Sequence, residues 1–345
     1  MRIIASPGES GRGNREPGQI MHDSYGTLLR SLRWSVALVL TASLALTTPG
    51  RLAAQDISES LSSLNEENGK LYIGPLSTGL AAALNSGFYH TADVHDVLGF
   101  DLGFRVMGSF VPGDLDTFQP VLPDTITIEG VTFIDPYGPA GASSLSSPTV
   151  AGTGDGIVLL PQGEFRDSLL SLGENPSDWA VQFPRGFDIP VVPYAAIQGA
   201  LGIPLGTELV LRFIPSFTPD DDVGSISMIG GAIKHSVDQW FSDDPPLNVA
   251  VAFGFQHFKV GDYLDANSTQ FSLIASKKLS LVSLYGAGTL EIANLDFSYE
   301  FEPDIGVVIP VEIQRVEFTQ VTPNDVTLKL GGTLTLGPAG LNVEY

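Results

Sequence analysis

The sequence predicts an all-β protein: a transmembrane antiparallel β-barrel of roughly 10–14 strands, with a long loop region at about residues 113–190. Three observations predict it. Apolar and polar residues alternate with period two in segment after segment. The apolar parity carries large side chains, while the other carries Gly, Ala, Thr and isolated charges. A leader of the export type precedes them.

The leader comes first along the chain. Arg30 and Arg33 stand before the apolar run WSVALVLTASLAL, Trp34–Leu46, and small residues follow it. That order is the order of a secretory signal peptide, and the run is shorter than the roughly 20 residues that span a bilayer. Residues 1–55 are therefore expected to be signal peptide, cut after Ala54 or Gln55. An uncleaved signal anchor is the alternative. Met21 offers a second start, because the residues after it make the more ordinary n-region. Residues 56–345 are then one β-barrel domain that includes the 113–190 insertion.

Composition narrows that domain. From Asp56 onward 11 Lys/Arg stand against 36 Asp/Glu, and the whole chain carries a formal charge of −22. Such a field disfavours nucleic acid as a partner. There is no cysteine, hence no disulfide and no thiolate chemistry. An exported chain of this size without disulfides suits the periplasm or the outer membrane of a Gram-negative cell. No apolar run reaches 18 residues, which argues against a helical membrane protein.

The clearest strands follow. In VLGFDLGFRVMGSF, residues Leu98, Phe100, Leu102, Phe104, Val106 and Phe110 share a face. In LNVAVAFGFQHFKV the face is Leu247, Val249, Val251, Phe253 and Phe255, and the pattern shifts at His257–Phe258, which suggests a bulge or the membrane rim. TELVLRF and TQFSLIAS repeat the alternation. Further strands are expected near Lys70–Asn85, Tyr194–Ile203, Ser225–Val237, Ser280–Leu290, Leu295–Phe301 and Val311–Val321. Turn chemistry separates them at Pro204–Thr207, Thr218–Asp222, Ser242–Pro246 and Thr322–Asp325. The last strand, after Gly337–Gly340, runs to the aromatic Tyr345. A water-soluble β-sandwich, with its apolar faces meeting in a core, is the competing fold.

Residues 112–190 break the rhythm. They are rich in Pro, Gly, Ser and Asp, with two strand-like pieces at Thr125–Ile134 and Gly156–Leu160. A connection of this length is usually functional or mobile. The expectation is an extracellular loop, either folded inward or built as an extended hairpin with a disordered tip.

Chemistry is sparse. The runs Asp220–Asp222 and Asp243–Asp244 lack the spaced oxygen ligands and glycine turn of a calcium loop, and read as solvated turns. Of the four histidines after the leader, none sits in HExxH, and there is no GxSxG elbow or P-loop. A non-enzyme without cofactor or metal is expected, with a hydrolase assembled from distant strands as the weaker reading. Asp101, Arg105, Glu208, Arg212, Lys234, Lys259 and Lys329 fall on or near strands. On an inward face they would line a lumen or pair with one another.

Three stretches carry a resemblance: LNSGFYHTADVHDVLGFDLGFRVMGSFVP, FDIPVVPYAAIQGALGIPLGTELVLRFIP and GGAIKHSVDQWF. They resemble the DUF6588 family of exported proteins from Gram-negative bacteria. The resemblance implies an outer-membrane barrel of the hydrophobic-substrate-channel type, with no activity and no catalytic residues to carry over. The expected function is a channel or passive transporter for a small or hydrophobic solute. The alternatives are a structural or binding barrel that works through its long loop region, and a soluble β-sandwich adhesin. Outer-membrane lipid, the barrel-assembly machinery and a small solute are the expected partners.

Overall fold

The computed structural model describes residues 60–128, 130–138, 145–220, 223–241, 246–301, 314–322, 326–337 and 339–345. The expected leader lies outside them. Ten strands form one antiparallel sheet: β1 Phe100–Phe110, β2 Val191–Ile203, β3 Thr207–Asp220, β4 Gly224–Ser236, β5 Asn248–Val260, β6 Leu264–Leu279, β7 Val282–Phe301, β8 Gln314–Val321, β9 Val326–Leu336 and β10 Ala339–Glu344. Each pairs with its sequence neighbour, except that β7 carries β8 on Asn294–Phe301 and β9 on Val282–Leu290. Those two lie end to end along one flank, so ten strands make a sheet nine strands wide.

The sheet is curled and, among the described residues, open. The barrel expected from the sequence is a half-barrel here: β1 and β10 are its free edges, and no strand joins them. Neighbours alternate in direction, so across nine positions the two edge strands run the same way. An antiparallel bond between them is therefore geometrically excluded, which is the physical reason the described strands do not close by the usual route.

Alternation places the faces as the sequence indicates. Along β1 the apolar parity lies on the convex side, and Phe100, Leu102, Val106 and Phe110 are exposed. The shift at His257–Phe258 is not a bulge. Register runs unbroken through it on both flanks of β5, and the outward side chains simply turn polar. The irregularity lies instead where β4 meets β3, around Gly224–Met228. Ser280–Leu290 and Leu295–Phe301 are one strand, β7, because polar Asn294 and Asp296 stand on its outward parity without interrupting the pairing.

Lys70–Asn85 is not a strand. It lies in helix α1, Glu66–Leu84, capped by Asn65, whose side chain accepts from the Asn68 amide. Three glycines, Gly69, Gly74 and Gly79, lie in this helix. Gly69 lies directly under the Tyr299 hydroxyl and Gly79 under Val192, so a side chain at either would collide with the sheet. The helix crosses the concavity near the end of the sheet that bears the 111–190 connection, called upper here. It packs on β7 and β8 at its start and on β1 and β2 at its finish. There the interior is apolar: Tyr72 and Ile73 of the helix share one buried cluster with Leu295, Phe297, Tyr299 and Phe318 of the wall.

The described residues of the 113–190 region form a folded cap rather than a bare hairpin. It contains the ribbon Thr125–Ile128/Val131–Ile134, helix α2 Gly163–Ser171, and two-residue pairings of Thr117–Phe118 with Ser147–Pro148 and of Val158–Leu159 with Val181–Gln182. Phe165 organises it, with Phe133, Tyr137 and Trp179 ring to ring around it. The Tyr137 hydroxyl donates to the Trp179 carbonyl at 2.9 Å, and burial raises its pKa.

Candidate functional site: the filled concavity

After α1 the chain descends along the concave face as an irregular strap, residues 85–99, before turning into β1. Gly87 starts the descent with φ of 71°, pressed against Met107, where only glycine fits. Between Ser86 and Leu98 the strap is tied to the wall by wall side chains. Gln256 Nε2 donates to the Leu84 carbonyl at 3.1 Å just above it. Arg212 Nη1 donates to the Ser86 carbonyl at 3.0 Å, and the guanidinium lies over the Phe88 ring, 4.0 Å from its centroid. The hydroxyls of Tyr89 and Thr289 are 3.0 Å apart. Ser276 Oγ accepts from the Ala92 amide and sits 3.0 Å from Thr91 Oγ1. Thr333 donates to the His90 carbonyl.

The inward residues come from neighbouring strands at matched heights. Gln198 faces Arg212 across β2 and β3. Arg212 faces Gly230, and Gly230 faces Gln256. The missing side chain at Gly230 lets Arg212 Nη1 reach across to Gln256 Oε1 at 3.2 Å. Arg212 Nε donates to Gln198 Oε1 at 2.8 Å, and the Tyr194 hydroxyl donates to Gln256 Oε1 at 3.0 Å.

Lower down, Lys234 and Glu208 form a buried ion pair at 2.9 Å. Glu208 Oε2 also accepts from the His95 amide and faces His95 Nδ1 at 2.5 Å. Lys329 pairs with Glu291 at 2.5 Å, lies 3.6 Å from Glu344, and donates to the Asn85 carbonyl at 3.4 Å. Arg105 pairs with Asp101 at 3.1 Å. A cavity of about 180 Å³ remains between strap and wall, lined by His90, Asp101, Arg105, Glu208 and Lys234 among others. Burial, and then the charges of Lys234 and Arg105, hold the His90 imidazole below its ordinary pKa against the pull of Asp101 and Glu208.

A family of unknown function, DUF6588, matches residues 33–345. The chain belongs to that family. No curated protein and no solved structure matches it significantly.

Six of the seven charges singled out in the sequence line the concavity. Lys259 does not: it points outward at the upper rim, beside a separate surface cavity of about 420 Å³ shared with Asp262, Asp265, Asp296, Arg315 and Glu317. In β5 the inward parity is Gln256 and Phe258, which leaves Lys259 on the other side. Sequence reasoning missed the neutral half of the network, Gln198, Gln256, Ser276 and Thr289. Their signal was present, since each is a polar residue on the small-residue parity of its strand. It also missed the strap, which has no periodicity to read. Among the described residues no cluster of three His, Cys, Asp or Glu is arranged to hold a metal.

Proposed function

We propose that this protein is an outer-membrane β-protein whose wall is plugged from within and whose cap, residues 113–190, is its partner-facing surface. The observation that carries the proposal is the belt on the convex face. Val282, Leu284, Leu290 and Ile292 on β7, Phe271 and Leu273 on β6, and Leu328 and Leu330 on β9 are all exposed. Above Ile292 the same parity of β7 turns to Asn294, Asp296, Ser298 and Glu300. From Val282 to Ile292 is roughly 33 Å of strand, or ~25 Å once tilted, the height of an outer-membrane barrel's apolar band. A water-facing surface rarely exposes so large a contiguous patch.

The membrane reading carries a condition on the wall. A barrel of about eight strands has room inside for side chains or one small ligand, and about eleven are used to enclose a helix. A nine-strand sheet that cradles both α1 and the strap is part of a larger wall. Because its edges run the same way, antiparallel closure takes an odd number of added strands. The filled interior supports the plugged form over an open channel, and the aromatic core of the cap supports a rigid binding surface.

Fractionation of the native protein followed by electrophoresis with and without boiling tests the proposal. An outer-membrane band whose mobility changes on boiling supports it. A soluble periplasmic protein with no change contradicts it.

A further inference from the structure

The two halves of the interior differ in chemistry. Under α1 the wall presents Leu295, Phe297, Tyr299 and Phe318, a core that expels water. Under the strap it presents Gln198, Gln256, Gln270, Ser272 and Thr289, all buried and all able to bond water, set among small apolar residues such as Ala200 and Ala250 that pack with Phe88 and Tyr89 of the strap. The side chains that hold the strap in place can be satisfied by water in its absence, so the face suits both a filled and a wet interior.

Arg212 marks the balance point. Lys234 and Lys329 keep their carboxylates whether or not the strap is present. Arg212 is fully buried and, among the described residues, no carboxylate lies within ion-pair distance. It is held by two glutamine oxygens of the wall and, from the strap, by the Ser86 carbonyl and the Phe88 ring. Its Nη2 has no hydrogen-bond partner. Strap departure would break the Ser86 and Phe88 contacts but return a desolvated cation to water, which offsets part of the loss.

We infer that residues 85–97 are a displaceable plug latched by Arg212, and that release opens a polar, water-filled path along the lower concave face while α1 stays in place. The path rests on the membrane reading; the latch does not.

The absence of cysteine makes the test clean. Thr91→Cys alone reports exposure of the strap through its rate of thiol labelling. Thr91→Cys with Ser276→Cys puts two sulfurs where the hydroxyl oxygens are 3.0 Å apart, within reach of a disulfide. Arg212→Met is expected to raise the labelling rate of Thr91→Cys by about tenfold or more, through more frequent local opening. In planar bilayers it is expected to raise conductance, the oxidised cysteine pair to abolish the rise, and reductant to restore it.

An unchanged labelling rate in folded Arg212→Met overturns the latch. Conductance that persists with the disulfide formed overturns the plug. If Arg212→Met does not fold, Phe88→Leu removes the ring from the guanidinium and gives the same comparison. Faster labelling in a protein that never enters a bilayer leaves the latch standing and sinks the membrane reading instead.

Discussion

Leu328 and Lys329 are adjacent on β9, yet one is 77% exposed and the other 8%. The same contrast runs across the sheet. The convex face shows water the largest apolar side chains of the strands, and the concave face hides their charges. A soluble sheet is built the other way round. On the proposed membrane reading, the difference teaches that the sheet's low-polarity surroundings lie outside it, while the charges it carries are paired within.

The comparison can be broken first from the inside. Lys234→Met leaves the buried Glu208 with His95 as its one remaining partner, with an expected cost of about 3 kcal/mol in a denaturant titration. Adding Glu208→Gln should recover most of it. No recovery would mean that the lysine matters for its stem rather than its charge.

The outer face gives the next effect. Leu328→Arg should cost about 2–4 kcal/mol if that position sits near the middle of a bilayer, and Leu336→Arg, close to the lower turn, clearly less. Equal and negligible costs at both positions would place the convex face in water.

Inside the upper half, Tyr299 donates to the Leu64 carbonyl at 2.9 Å, tying the start of α1 to β7. Tyr299→Phe should cost about 1 kcal/mol, and proteolysis should then cut more readily before the helix than within the strap.

The smallest effect is a pH dependence. The His90 pKa is held below 6.5 in the folded chain, so above that pH the residue is neutral in both states and contributes nothing to the slope. As pH falls below 6.5, the unfolded chain takes up a proton that the folded site resists, and stability falls until the folded site protonates too. His90→Asn should flatten that part of the stability curve, and an unaltered slope would assign it to other groups.

Much of the wall was legible in the sequence because period two is a local signal. Phe100 to Phe110 and Leu247 to Phe255 reveal their faces without any knowledge of what they touch. The small-residue parity likewise announced where Glu208, Arg212, Lys234 and Lys329 point. Three things were not legible, each because it depends on distant partners. Gly69 and Gly79 sit in a helix for the sake of Tyr299 and Val192, which lie more than a hundred residues away. The strap has no repeat of its own, since its backbone groups are bonded by side chains from four strands, β3, β4, β6 and β9. Closure depends on the number of strands beside one another, and the chain rhythm does not disclose that β8 and β9 share a flank of β7.

The most direct measurement uses single cysteines placed in turn at Val326, Thr327, Leu328, Lys329 and Leu330 of β9, each spin-labelled after reconstitution into bilayers. Collision rates with oxygen and with a polar nickel chelate then report lipid against water. A β9 strand with lipid on its convex side gives period two: high oxygen and low nickel accessibility at 326, 328 and 330, and low accessibility to both at 327 and 329. High nickel accessibility at 328, or a dry and immobile label there, would show that the convex face meets water or another protein rather than lipid.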